Sequence, residues 1–167
     1  MRIRMIVAVA TATMLLAGLA SAHRVTGIDG NDVPGRFDIL RTVVNHPGDL
    51  ILETHVTGDL RKTHFRGENQ FLWSMDTFGD GDLDYSVFLD ARRGATSLRM
   101  RCIFLRHGSP PKFEGSTAGR IDGQEGSCKF HPRRVGGLPE QWNATTEYAG
   151  KEDYAPDTNT YSHEFGS

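Results

Sequence analysis

The sequence lacks the signatures of the common catalytic sites. It has no G-x-S-x-G elbow, no H-E-x-x-H pair and no glycine-rich phosphate loop, which are the motifs of serine hydrolases, zinc peptidases and P-loop enzymes. It also has no C-x-x-C pair, the spacing of redox-active thiols. These absences favour a non-catalytic protein. Scattered acids such as Glu53, Glu114, Glu140 and Glu147 leave glycoside hydrolysis open, but most surface carboxylates have no such role.

A long apolar run is missing everywhere except at the N-terminus. Residues 1–22 carry two arginines in the first four positions, then an apolar stretch that ends in Ala20-Ser21-Ala22, the small-x-small pattern that signal peptidases cleave. We therefore predict a cleaved signal peptide over 1–22 and a secreted, extracellular protein that begins at His23, with no membrane insertion. Loss of the two arginines lowers the net charge from −2 to −4. The remainder is long enough for one domain, and we expect a monomer.

Basic residues are also too scattered to indicate a nucleic-acid partner. Lys and Arg number 19 against 21 Asp and Glu, and no stripe of Lys and Arg alternates with aromatic residues along the chain. A nucleic-acid surface would need such a stripe. We expect no nucleic acid among the partners.

The two cysteines, Cys102 and Cys128, are predicted to form a structural disulfide, because an exported protein meets an oxidising environment. On the chain-entropy model, a bridge that closes a loop of about 26 residues stabilises the fold by roughly 3 to 4 kcal/mol.

Alternation of apolar and polar residues with a period of two predicts short strands. Turns rich in Asp, Gly and Pro separate them, and no stretch of ten residues has the 3.6 period of a helix. The predicted strands fall at 37–44, 50–56, 71–75, 85–89, 98–104, 128–130 and 142–148. We therefore predict an all-β domain over 23–149, a single antiparallel β-sandwich of jelly-roll type, with both cysteines facing inward. Residues 150–167 are predicted to be a polar strap or a disordered tail.

Three short motifs carry a family resemblance. They are Asp38-Ile39 at the first predicted strand, Trp73-Ser74-Met75-Asp76-Thr77 leading through an Asp/Gly hairpin to Asp84-Tyr85, and a closing Ala155-Pro156-Asp157. In this order they resemble secreted bacterial β-sandwich proteins of the jelly-roll, DOMON-like and carbohydrate-binding-module-like kinds. The resemblance implies the fold and the extracellular location. It implies no particular activity, because a sandwich hosts many unrelated functions.

Segment 76–84 holds four carboxylates, those of Asp76, Asp80, Asp82 and Asp84, around two glycines. Calcium binds six to eight oxygen ligands, and alternating aspartates on a tight loop supply several of them. The spacing departs from an EF-hand, since a phenylalanine stands third and a valine twelfth. Two interpretations stay open: a structural calcium site, and a solvated Asp/Gly hairpin without metal.

Aromatic side chains offer a possible sugar-binding surface, because Trp and Tyr rings stack on the faces of pyranoses. Alternation places Trp73 in the core. Trp142 and Tyr148 are the candidate ligand-binding residues, with Tyr154 and Tyr161 as further members of the platform. The predicted function is that of a secreted, non-catalytic module that binds a ligand or surface polymer, with carbohydrate as the first candidate. The alternative is a structural or interaction protein with no small ligand.

A third alternative is a small secreted copper or hydrolytic enzyme. Cleavage after Ala22 would give His23 a free α-amine beside its imidazole, which is the amino-terminal half of a copper histidine brace. Copper would need a further imidazole. The candidates are His46, His55, His64, His107, His131 and His163.

Overall fold

The computed structural model describes residues 23–30, 32, 38–46, 51–56, 62–65, 69–93, 98–157 and 160–162. The predicted signal peptide lies outside these ranges. Within them the chain forms eleven strands and two short 3₁₀ helices, η1 and η2. The strands are β1 (His23–Ile28), β2 (Arg41–His46), β3 (Ile51–Val56), β4 (Gln70–Asp76), β5 (Tyr85–Arg93), β6 (Leu98–Arg106), β7 (Lys112–Asp122), β8 (Glu125–Phe130), β9 (Gln141–Tyr148), β10 (Lys151–Ala155) and β11 (Tyr161–Ser162), and the helices are η1 (Lys62–Phe65) and η2 (Pro132–Val135). In the described part of the chain, no helix has the length and apolar character needed to span a membrane.

All the strand pairs are antiparallel, and their hydrogen bonds follow the order β1-β2-β3-β8-β7-β6-β5-β4-β9-β10, with β11 also paired to β9. The predicted all-β class is therefore confirmed, together with its disulfide between Cys102 and Cys128. The jelly-roll topology stays a prediction. Most neighbours in the sheet are also neighbours in sequence, as hairpin connections require.

The sheet has two parts. One contains β1, β2, β3 and β8, the other contains β4, β5, β6, β9, β10 and β11, and β7 belongs to both. Its first residues, from Lys112 to Ala118, pair with β6, and the rest, from Gly119 to Asp122, pair with β8. At the crossing point, a Cβ on Gly119 would lie 2.5 Å from Leu89 Cδ1 and 3.1 Å from both the Sγ of Cys102 and the backbone carbon of Arg101. Only glycine leaves room for so close an approach of backbone and side chain, and strands that change sheets commonly do so at such bends.

The core lies between the two parts of the sheet. The rings of Phe104 on β6 and Phe130 on β8 pack edge to face at 4.9 Å. The inward positions predicted on β4, β5, β6 and β8 are buried wherever the structure describes their side chains. The buried members are Phe71, Trp73, Met75, Tyr85, Val87, Leu89, Met100, Cys102, Phe104, Cys128 and Phe130, and on β9 Trp142 and Ala144 are buried as well.

Several elements differ from the predicted ones. The strand expected at 37–44 is β2, which begins at Arg41. Strands β1 and β7 were not predicted, and the segment expected to be a strap or disordered tail contributes β10 and β11 to the sheet. Strand β10 pairs along its whole length with β9. Residues 163–167 lie outside the described ranges.

Candidate functional site

The loop between β4 and β5 is organised around the carboxylate of Asp76, which is fully buried. Its Oδ1 accepts hydrogen bonds from the backbone N–H groups of Phe78 at 3.1 Å and Gly79 at 2.7 Å, and its Oδ2 accepts from the N–H of Gly81 at 2.9 Å. Three backbone donors compensate the burial of this carboxylate, which water no longer solvates.

The carboxylate of Asp84 closes the same loop from its other end. Its Oδ2 accepts from the backbone N–H groups of Thr77 at 2.8 Å and Phe78 at 3.0 Å. Asp80 Oδ1 accepts from the N–H of Asp82 at 3.1 Å. These are the backbone-directed bonds by which Asp residues stabilise turns, as the hairpin interpretation expects.

Three of the four carboxylates predicted to hold calcium come together. One oxygen each from Asp76, Asp80 and Asp84 lies within 4.8 Å of the others. Asp82 is exposed and is not part of this group. The loop therefore offers three acidic side chains of the predicted four, and all three already accept backbone hydrogen bonds.

A second acidic cluster joins the two ends of the domain and was not singled out from the sequence. Asp29 and Asp32 follow β1, Asp153 lies in β10 and Asp157 follows it. One oxygen from each of the four carboxylates lies within 4.8 Å of the others. The two pairs are more than 120 positions apart in the sequence, so no local motif connects them.

Burial and mutual repulsion shift the titration of this cluster. Burial, followed by the charges of Asp153, Asp157 and Asp32, raises the pKa of Asp29 to about 7. Burial also raises the pKa of Asp153, although a hydrogen bond from the Ile39 N–H at 2.5 Å opposes the rise. Asp29 Oδ2 is buried with no hydrogen-bond partner among the described residues. The cluster thus favours the protonated form of Asp29, as desolvation and like charges dictate.

The prediction that Trp142 belongs to an exposed aromatic platform is wrong. Trp142 is fully buried and packs at 4.7 Å on Tyr161, so its ring has no free face to stack on a sugar. Tyr148 is half-buried and meets His64 edge-on at 5.9 Å. The exposed aromatic rings among the described residues are Phe78, Phe113 and Tyr154.

An open groove of about 440 Å³ runs along β7 and β8. Arg120 and Asp122 of β7 line it together with Glu125, Ser127 and Lys129 of β8, beside Ala118 and Gly119. Arg120 forms an ion pair with Asp122 at 2.5 Å. The groove therefore combines positive, negative and hydroxyl groups on one face of the sheet. The sequence did not reveal the groove, because β7 was not among the predicted strands.

The candidate copper histidines occupy different environments. His23 stands directly opposite His46 in the pairing of β1 with β2. His64 is buried, and His107 Nε2 lies 2.6 Å from Ser86 Oγ. His131 Nδ1 accepts the N–H of Arg133 at 3.1 Å and caps η2. The side chains of His23 and His55 lie outside the described part of the structure, and so does the whole of His163.

No known protein family matches this chain, and neither does any curated protein sequence or solved structure. The resemblance to secreted bacterial sandwich proteins consequently stays a prediction from its short motifs. Function is inferred from the groove, the acidic clusters and the histidine register of this chain.

Proposed function

We propose that this protein is an exported, non-catalytic binding domain whose ligand is a carbohydrate polymer. The observation that supports the proposal is the groove over β7 and β8, whose lining carries donors on Arg120 and Lys129, acceptors on Asp122 and Glu125, and the hydroxyl of Ser127. Sugar hydroxyls both donate and accept hydrogen bonds, so they match a wall that holds both kinds of group.

The groove is built on two hydrogen-bonded strands beside the disulfide. Gly119 lies at its edge, where β7 crosses between the two parts of the sheet, and the disulfide of Cys128 lies on the neighbouring strand. Binding groups placed on strands keep their geometry better than groups on loops. This support replaces the predicted platform of Trp142 and Tyr148 as the basis for carbohydrate binding.

A glycan array probed with residues 23–167 tests the proposal, followed by affinity measurements on the glycans retained. Ser127→Ala removes a hydroxyl from the groove, and we expect binding about 2 to 10 times weaker, the usual effect of losing one hydrogen bond. The matched control is Ser116→Ala, which changes an exposed serine of β7 outside the groove. If no glycan is retained by the wild type, the protein is better described as an interaction protein without a sugar ligand.

We also propose a structural calcium ion at Asp76, Asp80 and Asp84. The convergence of their oxygens within 4.8 Å supports it, because carboxylates are the hard oxygen ligands that calcium prefers. The ion would hold together the three carboxylates of the loop between β4 and β5.

A second candidate function is copper binding at the N-terminus, favoured by the register that sets His23 opposite His46. After cleavage at Ala22, the α-amine and imidazole of His23 together with the imidazole of His46 would supply three nitrogen ligands, a set that suits Cu(II). Titration of the processed protein with Cu(II) tests this. His46→Ala should abolish tight binding, and one glycine added before His23 should do the same because it displaces the α-amine. Wild-type protein that binds no Cu(II) above the level of His46→Ala would remove this candidate.

A further inference from the structure

Two arginines face each other on the exposed surface of β5 and β6. Arg92 is paired directly with Arg99 across the strands, and both side chains are exposed. Neither has an ion pair or a hydrogen bond from its side chain among the described residues. Like charges directly opposite each other destabilise a sheet, so the fold itself gains nothing from this pair.

The next outward pair along the same strands is neutralised. Asp90 lies opposite Arg101, and Arg101 donates to Asp90 Oδ2 from Nε at 2.9 Å and from a terminal nitrogen at 2.6 Å. Met100, which lies between Arg99 and Arg101, is buried in the core. Strand alternation therefore places Arg99 and Arg101 on the outer face, and of these two only Arg101 has a counter-charge among the described residues.

Arg101 links the outer face of β6 to the groove. Arg101 is paired with Ala118 of β7, and Ala118 lines the groove beside Arg120 and Lys129. Lys129 has no ion-pair partner among the described residues. We call these five cations the outer cationic face: Arg92, Arg99, Arg101, Arg120 and Lys129.

The outer cationic face is positive in a chain that is negative overall. Its five cations are accompanied by three carboxylates, those of Asp90, Asp122 and Glu125, whereas the whole chain has a net charge of −2. A positive surface attracts negatively charged ligands, even when the protein as a whole is negative.

We infer that the ligand of the groove is an acidic polysaccharide, a polymer that carries carboxylate or sulfate groups along a sugar backbone. This inference rests on the proposed carbohydrate-binding function and names the charge of the polymer. The sugar hydroxyls meet the mixed lining of the groove, and the acidic groups meet Arg92, Arg99 and Lys129, which have no counter-charge within the described part of the chain. Nucleic acid fits less well, because none of the described residues that line the groove carries an aromatic ring to stack on bases.

Affinity electrophoresis and calorimetry with alginate, a polyuronate, and with dextran, a neutral glucan, test the inference on residues 23–167. The variant Arg92→Gln with Arg99→Gln removes the uncompensated pair and keeps side chains of similar length. We expect it to bind alginate roughly tenfold more weakly than the wild type and to bind dextran unchanged. Increasing salt should weaken alginate binding by the wild type and weaken it less for the variant, because salt screens exposed charges.

The matched control is Arg24→Gln with Arg133→Gln, which removes the same charge from two exposed residues on β1 and η2 and should leave alginate binding unchanged. Melting temperatures of both variants verify that the fold is intact, and the face variant should melt no lower than the wild type because it relieves repulsion. If alginate binds no more tightly than dextran, the inference is overturned while carbohydrate binding stands. If neither polymer binds, nor any glycan on the array, the proposed function itself fails. Tighter binding to duplex DNA than to alginate would overturn the assignment of the polymer class.

Discussion

Cys102 and Cys128 form a disulfide that joins β6 to β8 across the strand between them, β7. Their Cα atoms are 5.8 Å apart, whereas two strands separated by a third lie about 9 to 10 Å apart in a flat sheet. The sheet is therefore folded sharply along β7, and the disulfide joins the two sides of that fold. Both sulfurs lie in the core, since the two residues have no exposed surface.

Removing the bridge should lower stability by about 3 to 4 kcal/mol, because the unfolded chain regains the freedom of a loop with a sequence separation of 26. Urea unfolding of Cys102→Ala with Cys128→Ala measures this loss. Reduced wild-type protein serves as the control and should show a similar loss. A decrease below about 1 kcal/mol would mean that the packing around β7 holds the fold without the disulfide.

Gly119→Ala should destabilise the protein by about 1 to 3 kcal/mol, since the new methyl group would be forced first against Leu89 Cδ1 and then against Cys102 Sγ and the backbone of Arg101. The matched control is Gly30→Ala, where nothing lies within 4 Å of the added carbon and we expect a change within about 0.5 kcal/mol. Equal melting temperatures for the two variants would show that the crossing point can relax.

The sequence predicts the strands whose apolar residues alternate, and it misses the strands that are defined by their neighbours. Val87 and Leu89 repeat with the period of two and are buried. Strand β7 has no such pattern, because its middle residues are Gly, Ser, Thr and Ala and its outer face is polar. Its place in the sheet depends on pairing with β6 and β8. A local pattern of apolar and polar residues does not show which strands will pair.

The same distinction applies to the sites. The loop of Asp76 and Asp84 is local in sequence, so three of its four predicted acids do come together. The cluster of Asp29 with Asp153 and the pairing of Arg92 with Arg99 depend on tertiary structure and strand register. Trp142 shows a different limit. The alternation of Trp142 with Ala144 predicts the strand correctly, but only the packing of the folded chain shows that this face of β9 is the buried one.

Calcium binding by the loop predicts different behaviour for two neighbouring aspartates. Asp80→Asn should abolish a calcium-dependent rise in melting temperature, because Asp80 is one of the three converging acids. Asp82→Asn is the matched control and should retain the rise, since its carboxylate lies outside that group. Calcium at about a hundred times its dissociation constant would stabilise the wild type by roughly 2.7 kcal/mol. Identical wild-type melting curves in calcium and in chelator would exclude the site.

The acidic cluster predicts that stability falls as the pH rises towards neutrality. The pKa of Asp29 is about 7 in the folded protein and 3.8 in its ordinary state, so between these values the folded state binds more protons than the unfolded state. The associated stabilisation is complete below about pH 4 and is lost as the pH rises through about 7. Asp153 contributes in the same direction, because burial raises its pKa as well.

Asp29→Asn should reduce this dependence to the smaller part that Asp153 contributes, since an amide has no charge to repel Asp153 and Asp157. At pH 8 we expect the variant to be more stable than the wild type by about 1 to 2 kcal/mol, after allowance for the screening of a partly exposed group by solvent. Denaturant unfolding from pH 4 to pH 8 measures both proteins, with Asp82→Asn as a control that changes an exposed carboxylate far from the cluster in sequence. The expected curves converge at low pH, where the wild-type carboxyl is protonated, and separate above neutrality. A wild type that gains stability over Asp29→Asn as the pH rises would show instead that the ionised carboxylate is stabilised in the folded state, which neither its burial nor its three acidic neighbours explains.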